Sequence, residues 1–225
     1  MAVCPFATQK PITGPAGSNL GGPFKIVHHT TEGSTADGAM TAFKNHRSDP
    51  HFTVDKTKIY QHIDTDVASR ALRNAPGGVE TNRDSAVQIE VVGFAGAPKD
   101  AATLKNVARL CRWIEATHGV SAVWPAGRPN PPHNGKDPGG HNRDPNIWNT
   151  QSGHFGHSQV PENTHWDPAY SKVEADYLLA AQFDAAGHVT NPAHPAVKAL
   201  ADRVLSAAPP NPEVIEDHAD VGAPP

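Results

Sequence analysis

The chain has 225 residues, 37% of them hydrophobic, with 22 prolines, 19 glycines, 14 histidines and a formal net charge of -4. That length suits one domain with a real core, and the proline and glycine content assigns much of it to loops. Glu213, Glu216, Asp217 and Asp220 account for the charge, so the body is near neutral and shows no nucleic-acid footprint; no apolar run approaches the ~20 residues of a membrane span, and Cys4 and Cys111 are too few for a disulfide framework.

In chain order, residues 1–23 are rich in Pro and Gly and read as an extended arm. They lack the charged start and apolar centre of a secretory signal, so cytoplasmic synthesis is expected, with action elsewhere requiring release or export. FKIVHHTT (24–31) reads as a strand, with Phe24, Ile26, His28 and Thr30 on one face. Ser34 is a plausible cap for a helix running to His46. HFTVDKTKIYQHI (51–63) predicts a hairpin turning at Lys56-Thr57, and 64–72 a short helix or turn. SAVQIEVVGF (85–94) predicts a buried strand. Asp100 caps a helix over 101–118, whose Leu104, Val107, Leu110/Cys111 and Ile114 recur at helical spacing before Gly119. Residues 124–169 form a long irregular stretch dense in Pro, Gly, Asn and His, and stretches of that length without regular structure are often functional. Helices return at 171–183 and 194–207. The end of the chain, 209–225, is acidic, Pro-rich and too poor in apolar groups to order itself. The order of elements implies a single α/β domain, a central mixed sheet flanked by helices.

Metal-binding or acidic groups stand in three places where a bland core would not put them: His28-His29 in a strand, Glu90 between Ile89 and Val91, and GHSQVPENTHWDP (156–168) with His157, His165 and Asp167. A hydrolytic zinc site takes three protein ligands, imidazole or carboxylate among them, beside a carboxylate base. Adjacent strand residues point to opposite faces, so at most one of His28 and His29 can face a metal. Other readings stay open. Glu90 could be the ion-pair partner of Arg83 or Arg112; His154, in an H-x-x-H pair with His157, is a rival ligand; His133 and His141 read as solvated. Trp148 and Trp166 could be sugar platforms or loop anchors.

KIVHHTT, the hairpin, SAVQIEVVG and GHSQVPENTHWDP follow the order found in the type-2 N-acetylmuramoyl-L-alanine amidases, and across residues 24–168 the chain resembles that family. The resemblance implies a catalytic domain over 24–208 with a zinc cleft above one face of the sheet. It implies one Zn2+ per chain on His28, His157 and Asp167, Glu90 as the catalytic acid, and His165 at the position of a basic residue that is usually Lys. His51, Arg70, His154 and Trp166 are the expected substrate contacts. Two departures bear on this. Pro50 stands where many relatives have a catalytic Tyr, which favours the Glu-dependent subtype, and Ser69-Arg70-Ala71 replaces the family's Trp-His-Ala. The implied activity is hydrolysis of the lactyl-amide bond between MurNAc and L-Ala, with bacterial peptidoglycan or muropeptides as partner, no nucleic acid or membrane, a monomer, and an endolysin-like, bacteriolytic role. The alternatives are a non-catalytic peptidoglycan-binding module and a zinc peptidase cutting within the stem peptide.

Overall fold

A computed structural model describes residues 1–207 apart from Thr13 and Arg47, so the acidic stretch 209–225 lies outside the described residues. The elements run β1 (Thr8–Gln9), β2 (Gly17–Ser18), β3 (Lys25–Thr30), α1 (Ala36–His46), β4 (Phe52–Val54), β5 (Ile59–Gln61), β6 (Val67–Ala68), β7 (Ala86–Val91), α2 (Ala101–His118), α3 (Pro145–Thr150), β8 (Gly153–Gly156), α4 (Lys172–Ala180) and α5 (Pro195–Ala207). A six-stranded sheet has the order β1-β5-β4-β7-β3-β8, parallel except for the β4–β5 hairpin. β2 and β6 form a separate antiparallel pair.

The expected hairpin, the strands around His28 and Glu90, and the helix over 101–118 are present. Asp100 Oδ1 accepts from the N–H groups of Ala102 and Thr103 at 2.9 and 3.0 Å, and Gly119 closes α2 at φ 68°, a left-handed conformation that favours glycine. The cap of α1 is Thr35 rather than Ser34: its hydroxyl accepts from Gly38 N–H at 3.1 Å. Two segments read as irregular hold structure. The arm contributes β1, laid parallel on β5, and β2; the stretch 124–169 contributes α3 and β8, the sixth strand of the sheet.

The two sheet faces bury different things. Ile26, Val87, Ile89, Val91, Phe52 and Val54 meet the Leu104, Val107, Leu110, Cys111 and Ile114 stripe of α2, with Ala175 and Leu178 of α4 packed beyond. Each fully buried side chain of this size contributes about 1.5–3 kcal/mol, which makes this face the main core. The other face carries a smaller cluster of Val27, Leu72, Ala86, Trp148, Phe155 and Val160. Beyond it the buried side chains turn polar, and the site begins.

Candidate active site

Sheet register decides which side chains meet. β3 lies parallel beside β7 with His29 opposite Glu90, and β4 lies on the far side of β7 with Thr53 opposite Glu90. Neighbours across parallel strands share a face, so His29, Glu90 and Thr53 point the same way, away from α2. His28 pairs with Ile89 and Gly156, on the core face. The expectation that His28 joins His157 and Asp167 is therefore corrected: the structure brings His29 to them. His29, His157 and Asp167 place one donor atom each within 4.8 Å of one another, all three buried. His28 is grouped instead with Cys111 and His154 behind the sheet.

Local sequence explains how His157 reaches the site. β8 ends at Gly156, where an added Cβ would come within 2.9 Å of Pro168 Cδ and 3.0 Å of Pro129 Cγ, so only glycine lets these prolines close over the turn. His157 then opens a 3-10 turn over His157–Gln159. Ser158 N–H donates to Asp167 O at 2.8 Å, which closes the loop between the two ligand candidates. Asp167 Oδ2 accepts from Thr30 N–H at 2.9 Å, leaving Oδ1 for the site. There Oδ1 lies 3.2 Å from His157 Nδ1.

Hydrogen-bond accounting fixes the His157 tautomer. Asn163 Nδ2 donates to Pro161 O and Arg73 O at 2.9 and 3.2 Å, and Asn163 Oδ1 accepts from Arg73 N–H at 2.9 Å. The same Oδ1 stands 3.0 Å from His157 Nε2, which must therefore be a donor, so the neutral ring presents its lone pair at Nδ1. That lone pair faces His29 Nδ1 at 3.0 Å. If His29 is protonated on Nε2, two lone pairs oppose each other; if on Nδ1, then Nε2 is a buried acceptor without a donor. His29 Nε2 has no partner among the described residues in either case. A cation among His29 Nδ1, His157 Nδ1 and Asp167 Oδ1 removes the clash of lone pairs, and two imidazoles with one carboxylate form a donor set that zinc accepts. The residues fit the metal that the resemblance implies.

Charge agrees with this arrangement. Burial, then the neighbouring His157, pushes the His29 imidazole well below its ordinary range, so it stands as a neutral donor. Burial works to raise the Asp167 carboxyl, but its contacts with His157 and with the Thr30 N–H outweigh it and hold the group below the usual carboxylate range. Burial, then the charges of Asp167 and Glu32, lifts Glu90 well above that range. Glu90 makes no ion pair among the described residues: Arg83 donates to Ser18 O, and Arg112 is engaged with Glu115. It lines a cavity of about 390 Å³ together with His29, His157, His165, Asp167, Arg73 and Glu32. His165 stacks on His157 with centroids 4.6 Å apart and planes at 18°, its Nδ1 3.7 Å from Asp167 Oδ1 and its side chain 69% exposed. Arg143 Nη2 pins its carbonyl at 2.8 Å.

None of the expected substrate contacts lines this cavity. His51 is buried with both ring nitrogens taken by backbone: Nδ1 accepts from Gln88 N–H at 3.0 Å and Nε2 donates to Val67 O at 2.9 Å. Arg70 holds buried Asp49 through Nε and Nη2 at 3.1 and 2.6 Å. His154 lies on the core face, paired with Ile26 in register. Trp166 is half-buried beside the cavity rather than in its wall. Trp148 is a loop anchor, fully buried with its Nε1–H on Glu80 O at 3.1 Å. Sequence reasoning missed His29 as the facing histidine, Asn163 and Arg73. For His29 a signal existed, because the 25/27/29 parity carries Lys25 and matches the polar Gln88/Glu90 parity of β7.

Comparison with known proteins follows the same lines. The family model described as N-acetylmuramoyl-L-alanine amidase matches residues 23–170. The chain is similar in fold to the Staphylococcus aureus hydrolase AmiA solved in complex with its ligand, at 18% identity, covering 77% of this chain and 82% of that one with a TM-score of 0.51. It is similar as well to the N-acetylmuramoyl-L-alanine amidase LysC from Clostridium intestinale, at 14% identity, covering 80% of this chain and all of the other with a TM-score of 0.50. No curated protein sequence matches the chain. No helix among the described residues is long and apolar enough to cross a membrane.

Proposed function

We propose that this chain, which belongs to the N-acetylmuramoyl-L-alanine amidase family, is a zinc-dependent peptidoglycan amidase that hydrolyses the lactyl-amide bond between MurNAc and L-Ala. The observation that carries the reading is the convergence of His29 Nδ1, His157 Nδ1 and Asp167 Oδ1 beside the buried carboxyl of Glu90. These three atoms would hold the zinc, which when bound polarises the scissile carbonyl and acidifies the attacking water.

The chain's own groups supply the rest. Asn163 fixes the His157 ring so that Nδ1 faces inward, and Thr30 N–H turns Asp167 so that Oδ1 does. Glu90 takes a proton from the attacking water on a carboxylate oxygen and passes it to the departing amine nitrogen. A carboxyl lifted by burial is suited to both transfers, since it holds the proton it has taken. His165, exposed at the mouth and stacked on His157, donates to the oxygen on which negative charge develops. The substrate would enter past Arg73 and His165, the exposed ends of two of the groups that line the cavity.

The test is mass spectrometry of products from purified cell wall, with metal analysis of protein prepared without chelator. Expected are about one zinc per chain, loss of activity with chelator, and free L-Ala amino termini on released stem peptides. New termini inside the stem peptide would make the protein a peptidase instead, and intact wall with metal bound would make it a binding module.

A further inference from the structure

The second histidine cluster has no place in the chemistry proposed above. His28 and His154 are fully buried behind the sheet, with Tyr170 and Cys111 beside them. His154 Nε2 stands 2.9 Å from Glu115 Oε1, a carboxylate that also receives the Arg112 guanidinium. A carboxylate only accepts, so His154 carries its proton on Nε2 and presents a lone pair at Nδ1. His28 Nε2 lies 3.0 Å from that Nδ1 and donates to it. The lone pair of His28 is then on Nδ1, 3.3 Å from the Tyr170 hydroxyl, which donates in turn. One direction of donation, Tyr170 to His28 to His154 to Glu115, satisfies every group. None of these ring nitrogens is left without a partner, in contrast to His29 Nε2. The cluster is closed without an ion.

What it joins gives it a role. His28 is the neighbour of His29. His154 lies three residues before His157, and Tyr170 three after Asp167. Glu115 belongs to α2, and Arg112 on the same helix reaches the carbonyls of Leu178 and Leu179 in α4. The chain of bonds therefore ties both flanks of the loop 157–167 to β3 and to the helices behind the sheet. We infer that Tyr170, His28, His154 and Glu115 form a buried strut that holds the two ends of the ligand-bearing loop in register with His29. They are positioning residues for the opposite face of the sheet.

The test uses the full chain with Tyr170→Phe, which removes one hydroxyl and keeps the ring, and with His154→Ala, His28→Ala and His28→Gln. Amide exchange is followed by mass spectrometry. Exchange over 157–167 should quicken by ~10-fold, the effect of one lost hydrogen bond, while α2 stays as protected as in the parent. Cobalt titration supplies the second readout, which rests on the reading of His29, His157 and Asp167 as ligands: affinity should weaken by ~10–100-fold, with an altered d–d spectrum. His28→Gln, whose amide can donate to His154 Nδ1, should lose less than His28→Ala. Uniform loss of thermal stability with unchanged loop exchange and cobalt spectrum overturns the inference. So does a thiolate-to-cobalt band that disappears in Cys111→Ser, since the cluster would then be a metal site itself. Parent protein that binds no cobalt would defeat the metal reading alone, because loop exchange still decides the strut.

Discussion

Two histidine clusters stand back to back on one sheet, built from adjacent residues of one strand. His29 faces His157 with ring nitrogens 3.0 Å apart, and His28 faces His154 with ring nitrogens also 3.0 Å apart. Composition does not separate them, since each adds one further group able to bind a metal, Asp167 or Cys111. Hydrogen-bond accounting does. In the rear cluster every nitrogen has a partner and a carboxylate ends the chain; in the front one a nitrogen has no partner among the described residues and a cavity opens beside it. Burial acts differently on the third group as well. It pushes the Cys111 thiol up and keeps it neutral, whereas Asp167 is held ionised against burial by its neighbours.

The sharpest way to break this comparison is to exchange the faces. His29→Ala should abolish metal binding and reduce muropeptide release by more than ~10³-fold, since one of three ligands is lost. His28→Ala should retain metal at reduced affinity. Metal retained by His29→Ala and lost from His28→Ala would reverse the assignment of the two faces.

Glu90→Gln comes next: zinc retained and turnover lowered by ~10²–10⁴-fold, as for a missing general base. Near-parental turnover on purified wall would reduce Glu90 to a structural role.

The pH dependence of stability tests the claim that buried rings away from the cavity are neutral. Burial first, opposed by the bond to Val67 O, lowers His51 from 6.5 to about 4. The folded state then binds its proton less readily than the unfolded one. Stability is fully present above pH 6.5 and is lost as pH falls toward 4. The loss from this group alone is about 3 kcal/mol. Urea midpoints across that window should fall with acid in the parent and fall less in His51→Asn. An equal acid slope in both would show that His51 is charged in the fold.

The smallest effect is expected at His165. His165→Ala should keep zinc and lower turnover by ~10-fold or somewhat more, as for one exposed donor to a developing oxyanion. Loss of zinc in this variant would make His165 a ligand in place of Asp167.

Much of the frame was legible because it is locally encoded. α2 announces itself by its apolar stripe, Asp100 and Gly119, and the hairpin by two short β-prone runs about a turn. β8 was not legible. Gly153-His154-Phe155-Gly156 has two glycines and no β-branched residue, and it is a strand because the edge of β3 pairs with it. β1 and β2 are two-residue strands made by their partners in the same way. The choice between His28 and His29 needed the parity of β3. Ile26 and Val27 are apolar on opposite faces, so alternation within that strand is nearly silent, and only Lys25 and the Gln88/Glu90 parity of the neighbouring strand speak. Asn163 was invisible for a different reason: its partners His157 and Arg73 are brought together by the fold, the latter from 90 residues away.

That asparagine makes two parts of the cleft a single mechanical unit. Its amide grips the backbone of Arg73 on both sides and the imidazole of His157 with the same oxygen. The wall that would discriminate one substrate from another is thus geared to the ring that would hold the metal. Moving the Arg73 backbone by the length of a hydrogen bond must either strip the amide of its contacts or rotate the imidazole. On the proposed reading, selectivity and metal affinity would therefore not be independent design variables. A library that diversifies the loop around Arg73 would sample altered metal retention along with altered substrate choice, unless Asn163 is left with its full set of partners.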